Sequence, residues 1–258
     1  VIKLLVDSHA HLEDEKYDRD REKVIEECKK DLTFLINVGS NLLTSKQSIE
    51  LAHNYDFIYA SVGIHPHDAQ REFDKVEEIE RLALQEKVVA IGEIGLDYYY
   101  DDPPKEFQKE IFIKQIRLAK KLNLPIIIHD RDAHGDILDI LKQEWTKDLR
   151  GVFHSYSGSV EMAFQVIEMN FYISLGGPVT FKNAKKPKEV AKAVPIEKLL
   201  IETDSPYLTP EPYRGKRNTP VYVKFVAKKI AELREMPYEE VCRITAENAI
   251  KLFNIPLK

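Results

Sequence analysis

Six residues carry the side chains of a divalent-cation site: His9, His11, Glu93, His129, His154 and Asp204. Imidazole nitrogens and carboxylate oxygens suit Zn, Mn, Fe or Co, and Mg is accommodated if water and substrate complete its shell. His9 and His11 are two residues apart. Alternate side chains of a strand share a face, so both imidazoles reach one ion from one strand end. Glu93 placed between two ions offers one oxygen to each. Binuclear hydrolase sites hold their ions about 3.5–4 Å apart, stabilise the attacking and leaving oxygens, and lower the pKa of water. Asp204 is placed to hold one ion and take the proton of the attacking water. Glu93 and Asp204 are therefore the expected catalytic carboxylates.

Other polar groups surround this set. His65, in His65-Pro66-His67, is expected to face the site and contact a phosphate. Arg131, two residues past His129, is a planar donor that could hold a phosphate oxygen bidentately, with a salt bridge to Asp130 or Asp132 as the alternative. Tyr98, Tyr99 and Tyr100 could stack on bases, although rim packing is expected for at least two of the three. Tyr213-Arg214-Gly215-Lys216-Arg217-Asn218 is the one dense basic cluster with an aromatic neighbour, and Arg217 and Asn218 are assigned to substrate binding. His53 and His134 are expected at the surface.

The elements that must position these residues alternate along the chain. Apolar runs at 4–7, 33–38, 57–62, 88–94, 125–129, 152–154, 172–175 and 199–202 read as strands. Helical patterns follow at 18–30, 43–53, 76–85, 105–122, 133–142, 160–169, 188–194, 221–235 and 238–252. The strands are continuous apolar runs, as expected for a parallel sheet covered on both faces. Eight βα units in 258 residues give the count of a single (β/α)8 TIM barrel spanning 1–258. An open doubly wound sheet is the alternative, but no Gly-x-Gly-x-x-Gly follows the first strand. The ligand residues sit at strand C-terminal ends, the active face of a barrel.

Composition narrows the function. Hydrophobic residues make up 43%, enough for a large core and too many for a disordered chain. A net charge of −5 argues against a protein that coats nucleic acid nonspecifically, without excluding a local basic rim. Cys28 and Cys242 read as reduced structural thiols of a cytoplasmic protein. No stretch approaches a membrane span or a signal sequence.

Asp7-Ser8-His9-Ala10-His11-Leu12, Gly63-Ile64-His65-Pro66-His67 and Ala90-Ile91-Gly92-Glu93-Ile94-Gly95-Leu96-Asp97-Tyr98 resemble signatures of the TatD family of metal-dependent deoxyribonucleases. So do Leu124-Pro125 through His129 with Arg131-Asp132-Ala133, Glu202-Thr203-Asp204-Ser205-Pro206-Tyr207-Leu208, and Arg217-Asn218. The resemblance covers essentially the whole chain. It departs at His154-Ser155-Tyr156, where members often show His-Cys-Phe, and at Thr219, where Glu is common. The resemblance implies a phosphodiester hydrolase using two divalent cations (Mg, Mn or Zn), with 3′-to-5′ exonuclease action on single-stranded DNA. It assigns a first ion to His9, His11, Glu93 and Asp204, and a second to Glu93, His129 and His154. It implies a nucleic-acid substrate, with neither a membrane nor an obligate protein partner. Two other functions fit the same residues: cleavage of an acyl ester such as D-aminoacyl-tRNA, or nucleic-acid binding by a catalytically silent site.

Overall fold

Residues 4–256 are described by the computed structural model. Eight strands run parallel in sequence order: β1 (Val6–Ala10), β2 (Phe34–Val38), β3 (Ile58–Val62), β4 (Val88–Asp97), β5 (Ile126–Arg131), β6 (Gly151–Phe153), β7 (Phe171–Leu175) and β8 (Leu199–Ile201). The alternating helices are α1 (Arg21–Asp31), α2 (Leu42–Asn54), α3 (Val76–Ala83), α4 (Lys105–Leu122), α5 (His134–Glu144), α6 (Val160–Glu168) and α7 (Lys185–Ala193). Two more, α8 (Val223–Arg234) and α9 (Tyr238–Phe253), follow β8. The architecture is a TIM barrel.

Strand β2 shows why the strands read as unbroken apolar runs. All five of its residues are buried. Phe34, Ile36 and Val38 join an apolar cluster with Val6, Ile127, Val152 and Leu200 from other strands and with Leu252 and Phe253 of α9. Leu35 points the other way, into the cluster that includes Ile25 and Cys28 of α1 and Ile49 of α2. Both faces are dry, so polarity does not alternate with a period of two.

The barrel closes where β8 meets β1. Ala10 bridges Ser205 in parallel. His11 N–H donates to Ser205 O (2.8 Å), and Asp204 N–H donates to His9 O (2.8 Å). Beneath these, the Asp7 carboxylate accepts from His9 N–H (3.2 Å), Thr203 N–H (2.9 Å) and the Thr203 hydroxyl (2.5 Å). Burial pushes the Asp7 carboxyl up to about 8, although these donors oppose the rise. The seam therefore aligns the His9/His11 pair with Asp204.

Three strands run further than the sequence suggests. β1 continues through His9 to Ala10, β4 past Ile94 to Asp97, and β5 past His129 to Arg131. Each extension carries a polar residue, His9, Asp97 or Asp130, that interrupts the apolar run. Helix α7 begins at Lys185, three residues earlier than expected, with Pro187 tolerated in its first turn.

Two buried glutamines of α4 peg the helix to the barrel. Gln108 accepts from Asp97 N–H (2.9 Å) and donates to Asp97 O (3.0 Å). Gln115 does the same for Ile64, at 2.8 and 3.0 Å, beside His65. Gly95 allows β4 to approach β5. Its φ is +149°, and a Cβ there would lie 1.9 Å from His129 O. Cys28 and Cys242 are both buried. No helix among the described residues is long and apolar enough to cross a membrane.

Thr203→Val keeps side-chain volume while removing a buried donor to Asp7. Urea unfolding is expected to show a loss of about 1–3 kcal/mol with an unchanged m-value. Wild-type stability would show that this hydroxyl does not brace the seam.

Candidate metal centre

His9 comes from β1, Glu93 from β4 and His129 from β5, while His11, His154 and Asp204 lie just past β1, β6 and β8. The structure brings all six together. His9 Nε2 lies 3.2 Å from His11 Nε2, 3.4 Å from Glu93 Oε2 and 3.5 Å from Asp204 Oδ1. His11 Nε2 lies 3.7 Å from Glu93 Oε2 and 3.2 Å from Asp204 Oδ1. A tetrahedral ion with donors at ~2.0–2.1 Å sets those donors roughly 3.3–3.4 Å apart. These four atoms fit a cation of that size.

The other Glu93 oxygen faces a second group. Oε1 lies 2.8 Å from His154 Nε2, 2.9 Å from His129 Nδ1 and 3.6 Å from His65 Nε2. His154 Nε2 and His129 Nδ1 are 3.5 Å apart. One carboxylate thus touches both donor groups, with a different oxygen in each. His65, assigned to phosphate on the sequence, faces the site and stands within the second group, where it could also hold a metal.

Outer hydrogen bonds aim several of these ligands. His11 Nδ1–H donates to Val38 O (2.7 Å), which leaves Nε2 as the free donor atom. His129 meets the buried Asp97 carboxylate at 2.9 Å through its Nε2, and His67 Nε2 reaches the same oxygen at 3.0 Å. His154 Nδ1 meets Glu202 Oε1 at 3.1 Å. Asp204 takes φ +57°, a left-handed conformation that Asp tolerates better than most residues. The sequence reading missed Asp97 and Glu202. Each is an even number of residues from a proposed ligand on the same chain segment, Glu93 or Asp204, and that spacing was the available signal.

Charge balances within the cluster. Burial alone would lower the imidazoles and raise the carboxylates. Asp204 and Glu13 outweigh burial at His11 and hold it well above its usual value. Asp97 and Glu93 hold His129 up, and Glu93 and Glu202 hold His154 well up, again against burial. Conversely, burial is outweighed at Glu93 by His154 and His65, and at Asp204 by His11 and His154, so both carboxyls stay low. Burial dominates at His9 and His65, whose values fall.

The rim differs in part from expectation. Arg217 is exposed, and its guanidinium forms a bidentate pair with Asp20 (2.8 and 2.7 Å) and donates to Lys16 O. Asn218 is fully buried, and its amide donates to Thr203 O (2.9 Å) and Tyr207 O (2.7 Å). Both residues hold the β8 loop; the assignment of Asn218 to substrate contact is corrected because it is fully buried, whereas Arg217 keeps an exposed face. Arg131 is exposed and lies over the Tyr99 ring at 3.7 Å. Tyr98 is tied to Asp136 through its hydroxyl (2.6 Å), whereas Tyr99 and Tyr100 are more than half exposed. Only one tyrosine of the three is therefore held in rim packing by such a bond. His134 is bound to Asp130 at 2.6 Å. On the other side of the mouth, a groove of about 1210 Å³ runs from His11 past Glu13, Asp14, Asp18 and Tyr207.

Fold and donor set together define a class: a metal-dependent hydrolase built on a TIM barrel. The chain belongs to the TatD family, since residues 6–254 match the family described as TatD related DNase. It is 54% identical to the metal-dependent hydrolase YabD of Bacillus subtilis, covering 98% of this chain and 100% of that one. It is 41% identical to the metal-dependent hydrolase YcfH of Escherichia coli, covering 97% and 96% respectively. The crystal structure of YjjV, a TatD homologue from Escherichia coli, superimposes with a TM-score of 0.92 at 31% identity, covering 99% of this chain and 100% of that one.

The imidazoles held protonated must lose their protons before they can bind a cation. Calorimetric titration with Mn²⁺ in buffers of different ionisation enthalpy is expected to show net proton release near pH 7. Apparent affinity should strengthen as pH rises through the raised imidazole values, then level off. An affinity flat from pH 6 to 8 would contradict this charge balance.

Proposed function

We propose that the protein hydrolyses phosphodiester bonds at the 3′ ends of single-stranded DNA, with two divalent cations held by His9, His11, Glu93 and Asp204 and by Glu93, His129 and His154. The observation that carries this reading is Glu93, whose two oxygens face two separate donor groups. When bound, the cations supply Lewis-acid polarisation of the phosphoryl oxygen and an activated water. The remaining chemistry belongs to side chains. Asp204 is held in its ionised form and only partly covered, so its carboxylate is placed to accept the proton of the attacking water. His65 borders the second group and orients a phosphate oxygen there.

The rim supports a polyanion arriving from one side. Arg131 on Tyr99, with exposed Tyr100 beside it, offers a cation and two aromatic faces. Bases stack on such surfaces regardless of sequence. The opposite groove is lined by Glu13, Asp14, Asp18, Asp20 and Glu22 against Arg19, Arg21 and Lys23, and so disfavours a phosphate backbone.

The test is nucleotide release from labelled single-stranded DNA with Mn²⁺ or Mg²⁺. Asp204→Asn and His129→Ala should each lower turnover at least about 100-fold, and chelation should abolish it. Deacylation of D-aminoacyl-tRNA without loss of DNA would overturn the phosphodiesterase reading in favour of ester cleavage. Metal-independent binding without turnover would overturn both. Tyr99→Ala and Arg131→Ala should raise KM for DNA roughly 5–100-fold with little change in kcat, the size of one lost base stack.

A further inference from the structure

Two buried polar atoms beneath the metal centre lack a hydrogen-bond partner: His9 Nδ1 and Glu202 Oε2. They belong to residues of one cluster. His9, His154 and Glu202 each place a donor atom within 4.8 Å of the others. The His9 and His154 rings are stacked, with centroids 3.8 Å apart and planes 10° from parallel. Glu202 is fully buried, and its Oε1 already meets His154 Nδ1 (3.1 Å) and accepts from Ser155 N–H (2.9 Å).

The two imidazoles belong to different donor groups. His9 Nε2 faces Glu93 Oε2 in the first, and His154 Nε2 faces Glu93 Oε1 in the second. An imidazole that ligates through Nε2 carries its proton on Nδ1, and that N–H needs an acceptor. Glu202 has two oxygens: Oε1 is engaged by His154, and Oε2 has no partner, just as His9 Nδ1 has none. We propose that Glu202 is a positioning residue shared by both ion sites, with Oε1 holding His154 Nδ1–H and Oε2 taking up His9 Nδ1–H when the sites are loaded. It would hold both rings in the tautomer that leaves each Nε2 free to take a cation. This rests on the two-group metal assignment, and not on which bond is cleaved.

The experiment titrates Mn²⁺ into wild-type protein and Glu202→Ala and reads stoichiometry and affinity by calorimetry, without substrate. Alanine offers neither imidazole an acceptor. Both binding steps are expected to weaken by about 10–100-fold, the usual effect of losing an outer partner of a metal ligand. Wild-type affinity at both steps in the variant overturns the proposal, and so does weakening confined to one step. Three ions per wild-type chain would make the triad itself a ligand group and overturn it too. Fewer than two ions in the wild type would overturn the underlying metal assignment as well, which separates the two failures. A measurement on the wild type covers the case in which the variant does not fold. Imidazole ¹⁵N spectra of the Zn²⁺-loaded protein should show His9 and His154 both protonated at Nδ1. A His9 proton at Nε2 would overturn the shared role.

Discussion

The Glu93 carboxylate is the constraint around which the site is arranged. It is only 4% exposed, and a buried ionised group costs several kcal/mol unless it is paired and hydrogen-bonded. Oε2 draws in His9 and His11; Oε1 draws in His65, His129 and His154. So many imidazoles around one carboxylate leave an excess of positive charge, which Asp97 and Asp204 offset. A second ring of acceptors, Val38 O, Asp97 and Glu202, turns the histidine rings toward the centre. Such an arrangement is charge-balanced with protons in place, and equally prepared to exchange them for cations.

No local segment could supply it. The donors come from separate strands and from the segments just past three of them, and a parallel barrel delivers strand C-terminal ends to one face. The exactness of the first group depends on the seam, where backbone bonds between His9, His11, Asp204 and Ser205 place β1 against the β8 end. Asp7 and Thr203 brace that seam from within. Arg217 and Asn218 brace it from above, by tying the β8 loop to Asp20 and to Thr203 O. Around the mouth, charge is unequally distributed. The side with Tyr99 and Tyr100 presents the exposed cation of Arg131 over an aromatic ring, whereas the groove beside α1 carries more carboxylates than cations.

Much of this was legible in the amino-acid sequence, for identifiable reasons. Strands buried on both faces leave unbroken apolar runs, so all eight could be counted. Ligands at strand ends interrupt those runs with His or carboxylate, so His9, His11, Glu93, His129, His154 and Asp204 stood out. The same interruption hid the true extent of β1, β4 and β5, which carry polar residues such as His9, Asp97 and Asp130 near their ends. Asn218 misled because a polar residue of a basic loop beside an active face looks the same whether it reaches outward or is buried. The pairing of Arg217 was equally hidden, because Asp20 is 197 residues away in the chain. Asp97 and Glu202 were overlooked because outer-ring carboxylates lie beside ligands in the chain and read as part of the same motif.

The seam also has a consequence for how the protein is made. The first donor group joins residues near the start of the chain to Asp204, and the strand carrying the early pair must wait for β8 to close the ring. A polypeptide still emerging from the ribosome has His9, His11 and Glu93 but no fourth corner. The same is true of any fragment cut short of that point. The complete donor set therefore exists only once synthesis has passed Asp204.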